Sequence, residues 1–590
     1  MKSSILIGAA AAALATALMA GAPTITAEEQ ALRAIVAPET CGDDGAPMFG
    51  RPSAAWLAGA QAFAQSAEAA QAPPPLMQGL GDAHMAITTR HPEAQAYFDQ
   101  GLRMMHGFNH AEAARAFRQA QALDPTCAMC FWGEAFVLGP NINAPMDPAN
   151  NDRAYAAARA ALARIEGASP AEQAFIEAIQ VRYTRVWPQH RAPLDAAYAE
   201  AASLAADQFP DHDLMQIIAA EAVMDGQPWD YWQNGGRDAK GRAGEAVRRI
   251  ETVLARSPTN AGAIHLYIHL VEASDDPWRA ERAAERLAAI APNAGHLVHM
   301  PAHIYYRVGR YRESIAANIE AARVDERYIA AADPSPIYRY GYYPHNVHFV
   351  MASAQMGGDA RTALAFADRL DAVIPMAMAA SVPLAQPVKA APWFARADFL
   401  APERLIAFDG PGEDIAYIAA AWRYARGVAF AKLGRAADAR AEAAAIAALK
   451  ETGDFSVLNG GGVPAQDLLE IMRLQVLARA DVAAGDARAA IAHLETAVRM
   501  QAAIPYTEPP YVHYPIRRTL AAAYLLAGEP AVAEQHFLQT LIDSPNDAYA
   551  YWGLAQARQA RGDRRGAQAA RQLFNAAFLG DPRRLSTTAL

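Results

Sequence analysis

Between residues 265 and 348 the sequence carries His265, His269, His296, His299, His303, His345 and His348, seven of the chain's 16 histidines. His265 and His269 are four residues apart, as are His299 and His303, while His296/His299 and His345/His348 are three apart. On a helix such residues stand one above another, so each pair turns two ring nitrogens toward a common point. Neutral imidazole is a good ligand for Zn²⁺ and Cu²⁺, whereas Ca²⁺ asks for a mostly oxygen shell. The expected cofactor is therefore a transition metal, zinc or copper ahead of iron, held by a subset of the seven. The remaining imidazoles would orient ligands or act as general bases. The residues inside the i,i+4 pairs are Leu-Tyr-Ile and Met-Pro-Ala, so the glutamate of a zinc-protease helix is absent.

The elements that position these residues follow from an internal repeat. In PEAQAYFDQGLRMMHGFNHAEAARAFRQAQALDP, Gly101, Ala113, Phe117, Ala120 and Pro125 fall where two packed helices need small residues, one large filler and a terminating proline. Ala521, Tyr524, Gly528, Ala533, Phe537 and Pro545 repeat the pattern, and looser copies surround Gly427, Gly434, Ala478 and Gly485. The segment resembles the tetratricopeptide repeat (TPR) family. The resemblance implies an all-α solenoid of antiparallel helix pairs with a concave groove lined by the first helix of each pair. It covers most of residues 92–580, and stretches at about 226–245, 326–343 and 371–415 depart from it.

Aligning Gly309 with Gly528 makes Gly295 position 1 of its repeat, Ala261 position 1 of the preceding one and Pro344 position 1 of the following one. The family's groove-facing positions are 2, 5, 9, 12 and 13, and the resemblance thereby implies that all seven histidines share the groove face. It places Tyr306 and Arg307 there too, as candidate contacts to an anionic ligand. One repeat earlier, with Asp213 at position 1, Glu221 takes position 9 and Asp225 position 13. Glu221 and His303 are the catalytic candidates, since a carboxylate beside imidazoles and an open coordination position is what catalytic metal sites keep.

A second polar group contains His106, Asn109, His110, Glu134, Asn141 and Asn143. Glu134 falls at an interior repeat position and needs a partner, for which His106 is the nearest candidate. The group reads either as a network satisfying helix ends or as a ligand site formed by His106, Glu134, Asn141 and Asn143. Near the C-terminus, YTEPPYVHYPIRR, with aromatic and proline residues before a repeat helix, shows no catalytic spacing.

The chain has 590 residues, 53% hydrophobic and 19% charged, with a formal net charge of −10. That charge and the absence of basic clusters argue against a nucleic-acid partner. The opening MKSSILIGAAAAALATALMAGA has a lysine, a short apolar run and a small-residue cleavage pattern, the signature of a secretory signal over residues 1–28. A periplasmic or secreted location is expected, with no membrane-crossing segment after signal removal. Residues 29–91 read as an N-terminal extension, 92–370 as a solenoid with the His-rich groove, 371–415 as an insert or linker, and 416–580 as further repeats. Cys127 and Cys130 are followed by Phe131 rather than histidine, which excludes haem attachment and leaves a local disulfide or two inert thiols. Nucleotide-binding glycine loops and the nucleophile elbow are absent. Three functions stay open. One is a metal-bearing solenoid that binds a ligand or partner in its groove. Another is a metal-dependent hydrolase or oxidoreductase acting on a small molecule there. The third is a metal-free scaffold for peptides.

Overall fold

In a computed structural model the described residues are 73–188, 190–331 and 338–589. The signal expected over 1–28 and most of the 29–91 extension lie outside them. The chain is an all-α solenoid built from successive helix pairs, and the described strands are only Trp232–Gln233 and Asp238–Ala239. No described helix is long and apolar enough to cross a membrane.

Helix packing follows the small-residue pattern. Phe117, fully buried on helix His110–Leu123, fills the space between helices Pro92–His106 and Ala128–Val137. It can do so because a Cβ on Gly101 would stand 2.5 Å from its ring and one on Gly133 2.4 Å away. Phe537 and Gly553 repeat the arrangement near the C-terminus. The turn glycines used for the alignment confirm the register: Gly309, Gly434, Gly485 and Gly528 have φ of +75°, +72°, +83° and +80°, a left-handed conformation that ends the first helix of a pair. Pro301, which has no N–H to donate, divides the second His-bearing stretch into Gly295–His299 and Pro301–Arg307. Met300 between them keeps helical dihedrals (φ −50°, ψ −38°), so the His299/His303 spacing survives.

Two departures from the simple repeat position the site. The 371–415 stretch, expected as an insert or linker, contains helices Met376–Ser381, Gln386–Phe399 and Pro402–Ile406. Helix Gln386–Phe399 packs on both Ala360–Val373 and Ala416–Lys432, so the stack of helices runs through this stretch. Pro392 inside that helix is what hid it from a reading of the sequence. The second departure is closure. The C-terminal repeats return to the middle of the chain, where Asn546 Nδ2 donates to the Val308 carbonyl at 3.4 Å and the Leu579 amide donates to the Gly357 carbonyl at 2.8 Å. Tyr514 packs with Tyr311 and Met356 in the same seam. The histidine-bearing face is thereby covered by the chain itself.

Candidate metal centre

The three His-bearing segments are helix Ala261–Val271, the Gly295–His299/Pro301–Arg307 pair and helix Tyr343–Gly357. They assemble six of the seven predicted histidines into two triads. In His265/His269/His296, and again in His299/His303/His345, one ring nitrogen of each residue lies within 4.8 Å of the others. Five of the six are no more than 3% exposed, an unusual fate for imidazole.

The hydrogen bonds determine which nitrogen each ring presents. His265 Nδ1 lies 2.6 Å from the backbone carbonyl of His106, which can only accept, so Nδ1 carries the proton. Its Nε2 lone pair then faces His296 Nε2 at 3.0 Å. His269 Nδ1 donates to Glu272 Oε1 at 2.9 Å. His299 Nδ1 lies 2.5 Å from Asn318 Oδ1, and the amide orientation is set because Asn318 Nδ2 donates to the Ser314 carbonyl at 2.9 Å. His303 Nδ1 donates to Glu272 Oε2 at 2.7 Å and also contacts Glu508. The Nε2 atoms of the second triad turn inward, His299 to His303 at 2.6 Å and His299 to His345 at 3.1 Å. Outward Nδ1–H groups on carboxylate, amide and carbonyl oxygens, with inward Nε2 atoms, form the arrangement that orients histidines around a metal ion.

Charge follows from burial. His265, His296, His299 and His345 are held well below the ordinary histidine value, first by desolvation and then by neighbouring imidazoles. They are neutral, the form that ligates. Burial pulls His303 down as well, but Glu272 and Glu508 override it and hold it up at about 10. Against its burial, Glu272 is kept well below the usual carboxylate range by His303 and His269. Burial and the charge of Glu272 push Glu508 up to about 8.

Two residues strained at positive φ cap the first triad. Phe108 (φ +54°) places its ring 4.4 Å from His265 and 5.6 Å from His296, and Trp229 (φ +66°) meets His269 edge-on at 4.9 Å. Conformations of this kind persist where the surroundings over-determine them, commonly at functional sites.

The other predicted residues are placed as follows. His348 lies outside both triads, beside a cavity that His345 also lines, and burial lowers it to about 4. Glu221 turns away from the imidazoles into a separate buried group with Arg182, Tyr198 and Asp225, where desolvation raises it to about 7. The carboxylates that stand beside the imidazoles are Glu272 and Glu508. Tyr306 packs against Tyr311 and Phe349. Arg307 donates from Nη2 to the Ser274 carbonyl at 3.0 Å and lies over the Tyr506 ring of the covering loop. His106 does not meet Glu134. Glu134 accepts from Gln121 at 2.7 Å and faces Arg118 and Arg153, while His106 packs on Gly262 and supports His265 through its carbonyl. Asn141 bonds His110 Nδ1 at 3.3 Å, and Asn143 hydrogen-bonds Tyr342, whose ring lies 4.7 Å from His296. The second polar group thus buttresses the first triad from behind. Cys127 and Cys130 are disulfide-bonded.

No protein-family model matches the sequence, and no curated protein matches it significantly. Solved structures similar to it include the human IFIT1 dimer with m7Gppp-AAAA (10% identity, 83% of this chain and 91% of that one, TM-score 0.28). The P58(IPK) TPR domain aligns at 12% identity over 80% of this chain and 98% of its own, with a TM-score of 0.20. The APC/C hetero-tetramer Cut9-Hcn1 aligns at 14% identity over 84% and 88%, with a TM-score of 0.23. Likeness this loose bears on no question of function.

Proposed function

We propose that this TPR-type helical scaffold is a metalloprotein carrying two buried transition-metal ions, one in each histidine triad. The observation that carries the proposal is the facing of Nε2 atoms. His265, His269 and His299 each spend their Nδ1 proton on a carbonyl, carboxylate or amide oxygen. Each therefore presents a lone pair toward other ring nitrogens, where it accepts a proton from the facing ring or, once that proton is displaced, binds a cation between them. An ion about 2.0–2.1 Å from each nitrogen sets neighbouring ligands about 3.3 Å apart, so the second triad need open by less than about 1 Å. The all-imidazole inner sets suit zinc or copper. A peptide-binding groove is the weaker reading, because Phe108, Trp229 and the 504–515 loop occupy the face a peptide would need.

The proposal includes an exported location, periplasmic or secreted. It is supported by the apolar run after Lys2 and by the Cys127–Cys130 disulfide, a bond that persists in oxidising compartments.

Elemental analysis of protein purified without a histidine tag tests the proposal. The expected result is close to two transition-metal ions per chain, falling to about one in His299→Ala/His303→Ala and in His265→Ala/His269→Ala. No metal in the wild type, and no uptake on titration with Zn²⁺ or Cu²⁺, overturns it in favour of a metal-free scaffold.

A further inference from the structure

We infer that the two metal sites differ in kind: the His299/His303/His345 site takes an exogenous small ligand from the cavity beside it, and the His265/His269/His296 site is closed. The inference rests on the metal reading above.

The cavity, about 40 Å³, lies between helix Tyr343–Gly357, helix Gln386–Phe399 and the 504–515 loop. Since one water occupies roughly 10–15 Å³ of such space, the chamber takes about three waters or a ligand of similar bulk. His345 of the second site, and Glu508, which contacts His303, form part of its wall. Three imidazoles leave a four-coordinate ion one position short, and catalytic sites keep that position for water or substrate. Among the described residues the first triad lines neither this cavity nor the one beside Asp325, and the rings of Phe108 and Trp229 pack over it.

The far wall is built for a polar ligand. His513, 6% exposed, stacks on Phe394 with ring centres 4.9 Å apart, and its Nε2 lies 3.3 Å from Asp398 Oδ2. Asp398 is itself fixed by a 2.9 Å hydrogen bond from Gln355. His348 faces the same space from the helix that carries His345. Phe394, Ala352 and Ala391 make the remaining surface apolar. A metal ion on one side and imidazoles on the other select a molecule of about three or four heavy atoms whose donor is an anionic oxygen or nitrogen.

The test uses the full chain loaded with Cu²⁺ and titrated with sodium azide, followed by the azide-to-copper charge-transfer absorption. A saturable band is expected in the wild type and in His265→Ala/His269→Ala. Ala352→Leu and Ala391→Leu, each filling the chamber, should weaken azide binding at least tenfold while copper content and melting temperature stay near wild type. A fully copper-loaded wild type without the band overturns the inference and leaves the metal reading standing. So does a band of unchanged affinity in either chamber variant that keeps its copper, or a band lost in His265→Ala/His269→Ala. Failure to bind copper at all overturns both.

Discussion

At the residue scale the centre turns on Glu272. One of its oxygens holds His269 of the first triad and the other holds His303 of the second. Supports of this type are worth about 10–100-fold in metal affinity. Glu272→Gln is therefore expected to weaken both sites by that order in chelator competition, while Glu508→Gln weakens only the second. Proton linkage gives another outcome. His106, His110 and His348 are lowered by burial to about 4, 3 and 4, and four triad histidines are held well below the ordinary value. The unfolded chain binds those protons near the ordinary value of about 6.5 and the folded chain only well below it. The stability from these groups is thus present above about pH 6.5 and lost as pH falls toward the folded values. His303, raised to about 10, works the other way, but only above the ordinary value. Glu221, Asp225, Asp325 and Glu508, raised by burial, take up protons in the folded chain over the same range and oppose the effect, so the seven imidazoles are expected to give a net drop in melting temperature of the metal-free protein between pH 7.5 and 5; a rise would count against neutral buried imidazoles. The histidines were legible because repeat register converts spacing into a face. The same register puts Glu272 at groove position 12, so its place on the histidine face is also written in the sequence. Asn318 lies on the second helix of its pair and Glu508 in a loop with no repeat phase, so neither carries a positional mark. Glu221 has the right position number, but the charge of Arg182 claims that face.

At the element scale, side-chain volume at the crossing of helices decides where the histidine helices sit. Phe117 occupies room left by Gly101 and Gly133. Gly133→Ala sets a methyl carbon against that ring, an overpacking that costs about 1–3 kcal/mol. Chemical denaturation should show a lower midpoint with an unchanged slope. Small and large residues at fixed offsets made these pairs readable from sequence. The covered groove was not readable, because the residues that cover it come from turns and loops. Phe108 and Trp229 hold their rings over the first triad only by adopting left-handed backbone, and no periodic pattern announces that. Pro392 points away from helix on every local rule, yet helix Gln386–Phe399 is held from both sides by neighbours and tolerates it.

At the scale of the whole molecule, Gly309 is the joint of the closure. It sits at φ +75°, and a Cβ there would stand 1.9 Å from the Pro545 carbonyl oxygen. Gly309→Ala is therefore expected to push the last repeats off the 301–307 helix. Hydrogen exchange should speed up in 301–307 and 504–515 together, and the second site should lose metal faster than the first. An open array of repeats unfolds approximately as a sum of neighbouring units, and its ends fray before its middle. Here the ends do not fray independently, because the final hairpins are bonded to repeats more than 200 residues upstream. Glu508 reaches His303 only once the final third of the chain has been made and docked. The consequence is an order of events in biogenesis: an ion caught by the first triad can be held early, while the second becomes complete only in the finished, closed protein.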